Sequence, residues 1–132
     1  MDAEAIERSL QATAAAAFDW QFVSLLEIWM ASRTEPSLHE AFSQFEARNA
    51  AIRLQSLKAN VGEDVVAGTD VGRLMGGFNF ILRGLFLQQI LGGDWRRSGT
   101  WLFWRRRLAS QIKGEIDELR ERQDADRETV GS

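Results

Sequence analysis

At 132 residues the chain accommodates one domain, because a chain of this length buries about 68–70% of its unfolded surface around a single core. An apolar share of 45% beside 27% charged residues excludes a disordered chain, and 16 basic against 19 acidic residues give a formal charge of −3, which disfavours nucleic acid as a direct partner. The lack of cysteine excludes disulfides, thiolate zinc sites and thiol catalysis, and it fits a reducing cytoplasm, the expected location.

Asp2, Glu4 and Glu7 give the start of the chain an acidic character that does not read as a signal peptide. The longest apolar segment, Phe78 to Leu91, is interrupted by Asn79, Arg83, Gln88 and Gln89 and falls short of the ~20 residues a spanning helix needs, so no membrane association is expected. Turn residues cluster at Thr34–Pro36, Asn60–Gly68 and Gly92–Gly99, and the stretches between them have helical spacing. An all-α fold of five helices is predicted near 3–16, 18–33, 37–60, 70–91 and 100–121, the first two continuous or kinked. Residues 1–122 form the domain on this reading, and 123–132 a flexible tail.

In the second helix Phe18, Phe22, Leu25, Leu26 and Trp29 share one stripe, which Val23 and Met30 widen. Pro36 presets the first turn of the third helix, and Ser37 with Glu40 has the spacing of a capping box. The inward stripe of that helix reads Leu38, Phe42, Phe45, Asn49, Ile52, so the Asn49 carboxamide at an apolar position requires a hydrogen-bond partner.

The fourth helix is two-faced: Val71, Leu74, Met75, Phe78, Ile81, Leu82 and Leu85 line one side, Phe80, Leu87 and Leu91 the other. Gly72, Gly76 and Gly84 share a row with Phe80, which predicts close approach of a neighbouring helix. The fifth helix aligns Trp101, Trp104, Leu108, Ile112, Ile116 and Leu119. One protomer cannot cover all these faces, and large exposed apolar patches mark association sites. A homodimer is therefore expected, its last two helices pairing with their symmetry mates as a four-helix bundle. Its interface is placed on Phe80, Gly84, Leu85, Leu87, Leu91, Trp101, Trp104, Leu108 and Ile112.

The run from Leu26 through Trp29, Ala31 and Ser32 to Glu35–Pro36–Ser37–Leu38 resembles the junction in TetR-type transcriptional repressors, where a helix ending in Trp and small residues meets a "D-P-x-L" helix start; Glu35 stands at the usual Asp. The run from Thr69–Asp70–Val71 to Gln88–Gln89 resembles the helix with which that family both walls its effector pocket and dimerises, and a final helix follows. The resemblance covers residues 4–120 and rests on helix order and spacing more than on diagnostic residues. It implies the regulatory half of a repressor that leaves DNA when a small, largely apolar effector enters. The family's helix-turn-helix head and Tyr-rich hinge have no counterpart in this sequence, so operator DNA would be a partner only of a longer parent protein.

Pockets combine apolar walls with a few placed polar groups. On that basis the candidate effector-binding residues are Phe22, Leu26, Trp29, Met30, Phe42, Phe45, Met75 and Phe78, with Asn49 and Asn79 as polar anchors. The same aromatics would equally fill a core, leaving a structural dimerisation module without a ligand. Trp95–Arg97 and Trp101–Arg107 have the composition of a membrane-interface helix or a single-strand nucleic-acid platform, but successive arginines lie about 100° apart on a helix and form no basic face. Ion pairing with the acidic Glu115–Glu121 end of a partner helix is expected of them.

The glycine-rich run at Gly68–Gly77 lacks the ending of a phosphate-binding loop, and His39, the single histidine, is expected to be exposed. No carboxylate pair is tied to an apolar pocket, so no catalytic residue, metal or cofactor is expected.

Overall fold

The computed structural model describes residues 2–18 and 20–131, and for 20–23 and 25 the backbone alone. Among the described residues the fold is all-α: α1 (Ala3–Ala17), α2 (Trp20–Ala31), α3 (Pro36–Val61), α4 (Glu63–Gly68), α5 (Val71–Ile90) and α6 (Gly99–Val130), with a 3-10 turn at Trp95–Arg97.

Local chemistry sets these boundaries. Asp2 caps α1 by accepting from the Ala5 amide at 2.7 Å, and Ser98 caps α6 by accepting from the Trp101 amide at 3.2 Å. Pro36 occupies the first turn of α3, as its fixed φ favours. That puts the cap at Glu35, which makes no side-chain capping bond, so the box expected from Ser37 and Glu40 is not the start of this helix. Gly62 ends α3 with φ 101° and ψ 147°, close to a region of backbone space essentially reserved for glycine. Gly92, at φ 94°, turns the chain out of α5.

The expected run of turn residues at Asn60–Gly68 therefore contains a sixth helix. Val65 of α4 is fully buried, and Gly68 lies so close to α6 that an added Cβ would stand 3.0 Å from a Leu119 methyl. The second departure is α6, which runs to Val130 instead of ending near 121.

The core lies between α1, α5 and α6. Ile6, Leu10 and Ala14 recur every fourth residue and put one face of α1 against α6, which runs antiparallel to it. Glu7 accepts from the Arg105 Nε at 2.9 Å, and Gln11 accepts from the Trp101 indole at 2.9 Å and from the Arg105 guanidinium. Thus the indole of a fully buried tryptophan is satisfied. Within the chain the arginine run is anchored by α1: Arg106 also approaches Glu7, at 3.7 Å, and Arg107 lies over its neighbour Phe103.

α5 packs antiparallel on α6 through Phe78 and Trp101, ring centroids 6.0 Å apart. Phe18 joins this layer, 4.0 Å from the Phe86 ring and 4.4 Å from that of Trp95. Leu85, Trp101, Leu108 and Ile112 belong to this core, at 6%, 1%, 7% and 4% exposure, which corrects their placement on an outer dimer face. Their stripe has its neighbours within the chain, chiefly α1. Phe80, Gly84, Leu87, Leu91 and Trp104 are exposed as an outer face requires. The glycine row brings no helix close: a Cβ at Gly72, Gly76 or Gly84 would meet nothing within 4 Å.

A polar clasp fastens α4 to α6. Asp64 accepts from Arg120 at 2.7 Å and from the Gln123 amide at 2.9 Å, and these bonds, Gln123 first, hold its carboxyl below its ordinary value of 3.8. Stability linked to a depressed carboxyl is present above the unfolded value and is lost as pH falls through the lower folded one. Acidification below pH 3.8 is accordingly expected to release the clasp. In Asp64→Asn this contribution to the acid dependence of thermal unfolding should vanish; an unchanged profile would show that the clasp is not coupled to folding.

Candidate functional site

α3 is 26 residues long and holds no buried residue. It crosses α2 and α5 without closing on them, leaving a cleft of about 200 Å³ whose other wall comes from α1. The face of α3 toward this space carries Phe42, Phe45, Glu46, Asn49 and Arg53, the steps of three, four and seven residues that one helical face presents. Asn79, Leu82 and Arg83 do the same from α5, Leu26 and Trp29 come from α2, and Thr13 and Ala17 from α1.

The buried Leu26 and Leu82 form an apolar floor. Phe42 and Phe45 lie with centroids 6.1 Å apart and tilted by 37°, and both remain half-buried, while Trp29 is 41% exposed. Three large rings thus border space they do not fill.

Glu46 and Arg83 join the two main walls by an ion pair of 2.8 Å, and the Arg83 guanidinium lies 5.6 Å from the Trp29 ring centre, at cation–π distance. Asn49 and Asn79 line the cleft half-buried, and among the described residues neither carboxamide has a hydrogen-bond partner. The partner expected for Asn49 is therefore not found among the described residues.

Of the sequence candidates, Leu26, Trp29, Phe42, Phe45, Asn49 and Asn79 come together here. Met30, 47% exposed, is not part of the cleft lining; Met75 packs against the core, and Phe78 is buried facing Trp101. The side chain of Phe22 lies outside the described residues. Ile52 is solvent-exposed and does not continue the inward stripe of α3. Glu46, Arg53 and Arg83 also line the cleft, and an apolar-stripe reading does not pick out such charged residues. The signal was present: Glu46 and Arg53 lie one and three turns beyond Phe42 on the same face, and Arg83 one turn beyond Asn79.

Two wider depressions, of about 500 Å³ along α1 beside Arg105 and about 390 Å³ on the outer side of α6, are shallow and open to solvent. Among the described residues no three side chains converge that could hold a metal ion, and no helix is long and apolar enough to cross a membrane. His39 is exposed. Comparison with known proteins gives no match to any family model, characterised protein or solved structure, so the cleft and the outer face of α5 carry the functional argument.

Proposed function

We propose that this chain is an effector-binding and dimerisation domain of the kind found in TetR-type repressors: a sensor, not an enzyme, acting in the cytoplasm. The cleft beneath α3 receives a small, largely apolar molecule, and the outer stripe of α5 pairs with its symmetry mate. The observation that carries this reading is the long α3 with no buried residue, standing over unfilled aromatic walls. A module with a filled core would seat Trp29, Phe42 and Phe45 against neighbours, because protein interiors are packed to crystal-like density.

The dimerisation half rests on α5. Phe80 is 72% exposed and Leu91 86%, with Leu87 between them and Gly84 leaving the backbone open on the same side. Spacings of four, three and four residues keep Phe80, Gly84, Leu87 and Leu91 on one stripe opposite the core. Such a stripe buries its apolar area when two copies pair about a two-fold axis.

Signalling then requires only that effector favour one setting of α3 relative to α5, since a ligand shifts a conformational equilibrium by its difference in affinity for the two states. In a longer parent protein, the spacing of two DNA-binding heads would follow that setting.

Native mass spectrometry of the freshly purified chain tests both halves. A dimer with additional small-molecule mass is expected. A dimer from which no small molecule is ever recovered would favour the structural module, and a monomer would overturn the pairing of α5.

A further inference from the structure

We propose that the cleft selects a small aromatic carboxylate, a single ring bearing one negative charge, with the ring against Trp29, Phe42 and Phe45 and the carboxylate on Arg53. This rests on the effector-binding reading and names its ligand class.

Size sets the first limit. A cavity of about 150 Å³ accommodates benzene. The cleft, at about 200 Å³, therefore has space for one ring and a short substituent.

Charge sets the second. Among the described residues the lining holds one carboxylate, Glu46, and two guanidinium groups, Arg53 and Arg83. Glu46 is already engaged by Arg83 at 2.8 Å, so those two charges offset one another. Arg53 has no ion-pair or hydrogen-bond partner among the described residues, and the side chains one turn away on α3, Asn49, Ala50, Ser56 and Leu57, are uncharged. Among the described residues the cleft consequently carries one uncompensated positive charge beside its aromatic walls. A cationic ligand is repelled, and a neutral one leaves the guanidinium without a counterion.

Hydrogen bonding sets the third. An ionised carboxylate offers only acceptors and takes several donors. Asn49, one turn before Arg53 on the same face, brings an unpartnered carboxamide beside the guanidinium, and Asn79 brings another from the opposite wall. Guanidinium and amide donors converging from two helices match a carboxylate better than a hydroxyl or an amine.

The probes are phenylacetate, phenylacetamide and phenethylamine, which share one ring and differ in charge, titrated calorimetrically into the full chain. Phenylacetate is expected to bind about 10- to 100-fold more tightly than the amide, the range for losing a charge-assisted hydrogen bond, and the amine most weakly. In Arg53→Gln the acid should fall to the affinity of the amide while the amide is unchanged. Arg53 is exposed, so an unaltered melting temperature will separate this from misfolding. Equal affinities for acid and amide, preference for the amine, or failure of all three to bind would overturn the assignment. The effector reading is judged apart from this, by small-molecule mass retained in native spectra.

Discussion

A single carboxylate placed at Leu85 or Leu108 is expected to unfold the protein, where substitution on a dimer interface would leave folded monomers. Both leucines are buried within the protomer, at 6% and 7% exposure, in the layer that also holds Phe78, Phe86 and Trp101. Removing a buried leucine side chain costs about 2–5 kcal/mol, and an uncompensated buried charge about 3–5 kcal/mol more. Domains of this kind are stable by only about 5–15 kcal/mol in total, so Leu85→Asp or Leu108→Asp removes most or all of it. Circular dichroism at 25 °C should show lost helicity in each variant. A helical monomer from either would mean that the leucine faces a partner chain after all.

The contrasting result is expected on the opposite side of α5. Leu87→Glu and Leu91→Glu alter residues that make no core contact, so the helical content and melting temperature of the protomer should hold. Association should not. Central apolar residues of an interface contribute about 2 kcal/mol or more each, and two-fold symmetry places every substitution in the contact twice. Kd should therefore rise by about 1000-fold, which sedimentation velocity reads as a shift from dimer to monomer. A dimer that survives both changes with unaltered Kd would remove α5 from the interface.

The pair of experiments also marks where the sequence ceased to be informative. Periodicity identified the stripe of Trp101, Leu108 and Ile112 as apolar, and the structure agrees that it is buried. Periodicity does not say what buries it. The covering element is α1, which offers only Ile6, Leu10 and Ala14 as a buried stripe and adds bonds to α6 from Glu7 and Gln11, residues that read as surface. A partner chain was inferred for contacts that α1 already makes.

Of the helices, the five with strong apolar periodicity or caps were legible, and the two departures, α4 and the length of α6, share a cause. α4 is only six residues long and lies between two glycines, so composition marks it as a turn. The last turns of α6 are polar on every side, Asp124 and Arg127 among them, and a helix without an apolar stripe leaves no trace in a hydropathy pattern. In the cleft, the aromatic and amide residues were legible because they stand on stripes that must face inward. Whether such rings enclose space or fill it depends on the distance between α3 and α5, which no spacing in the sequence encodes.

That distance has a kinetic consequence. Amide protons of α1, α5 and the first half of α6 sit in helices bearing the buried aromatic layer and exchange with solvent only through openings that expose it, near the free energy of global unfolding. α3 buries no side chain fully and packs on the core only near its end, through Leu57 and Val61, so its first turns should open at lower free energy than that layer. On the effector-binding reading proposed above, such a local opening would let a molecule enter and leave the cleft many times within the lifetime of the folded core.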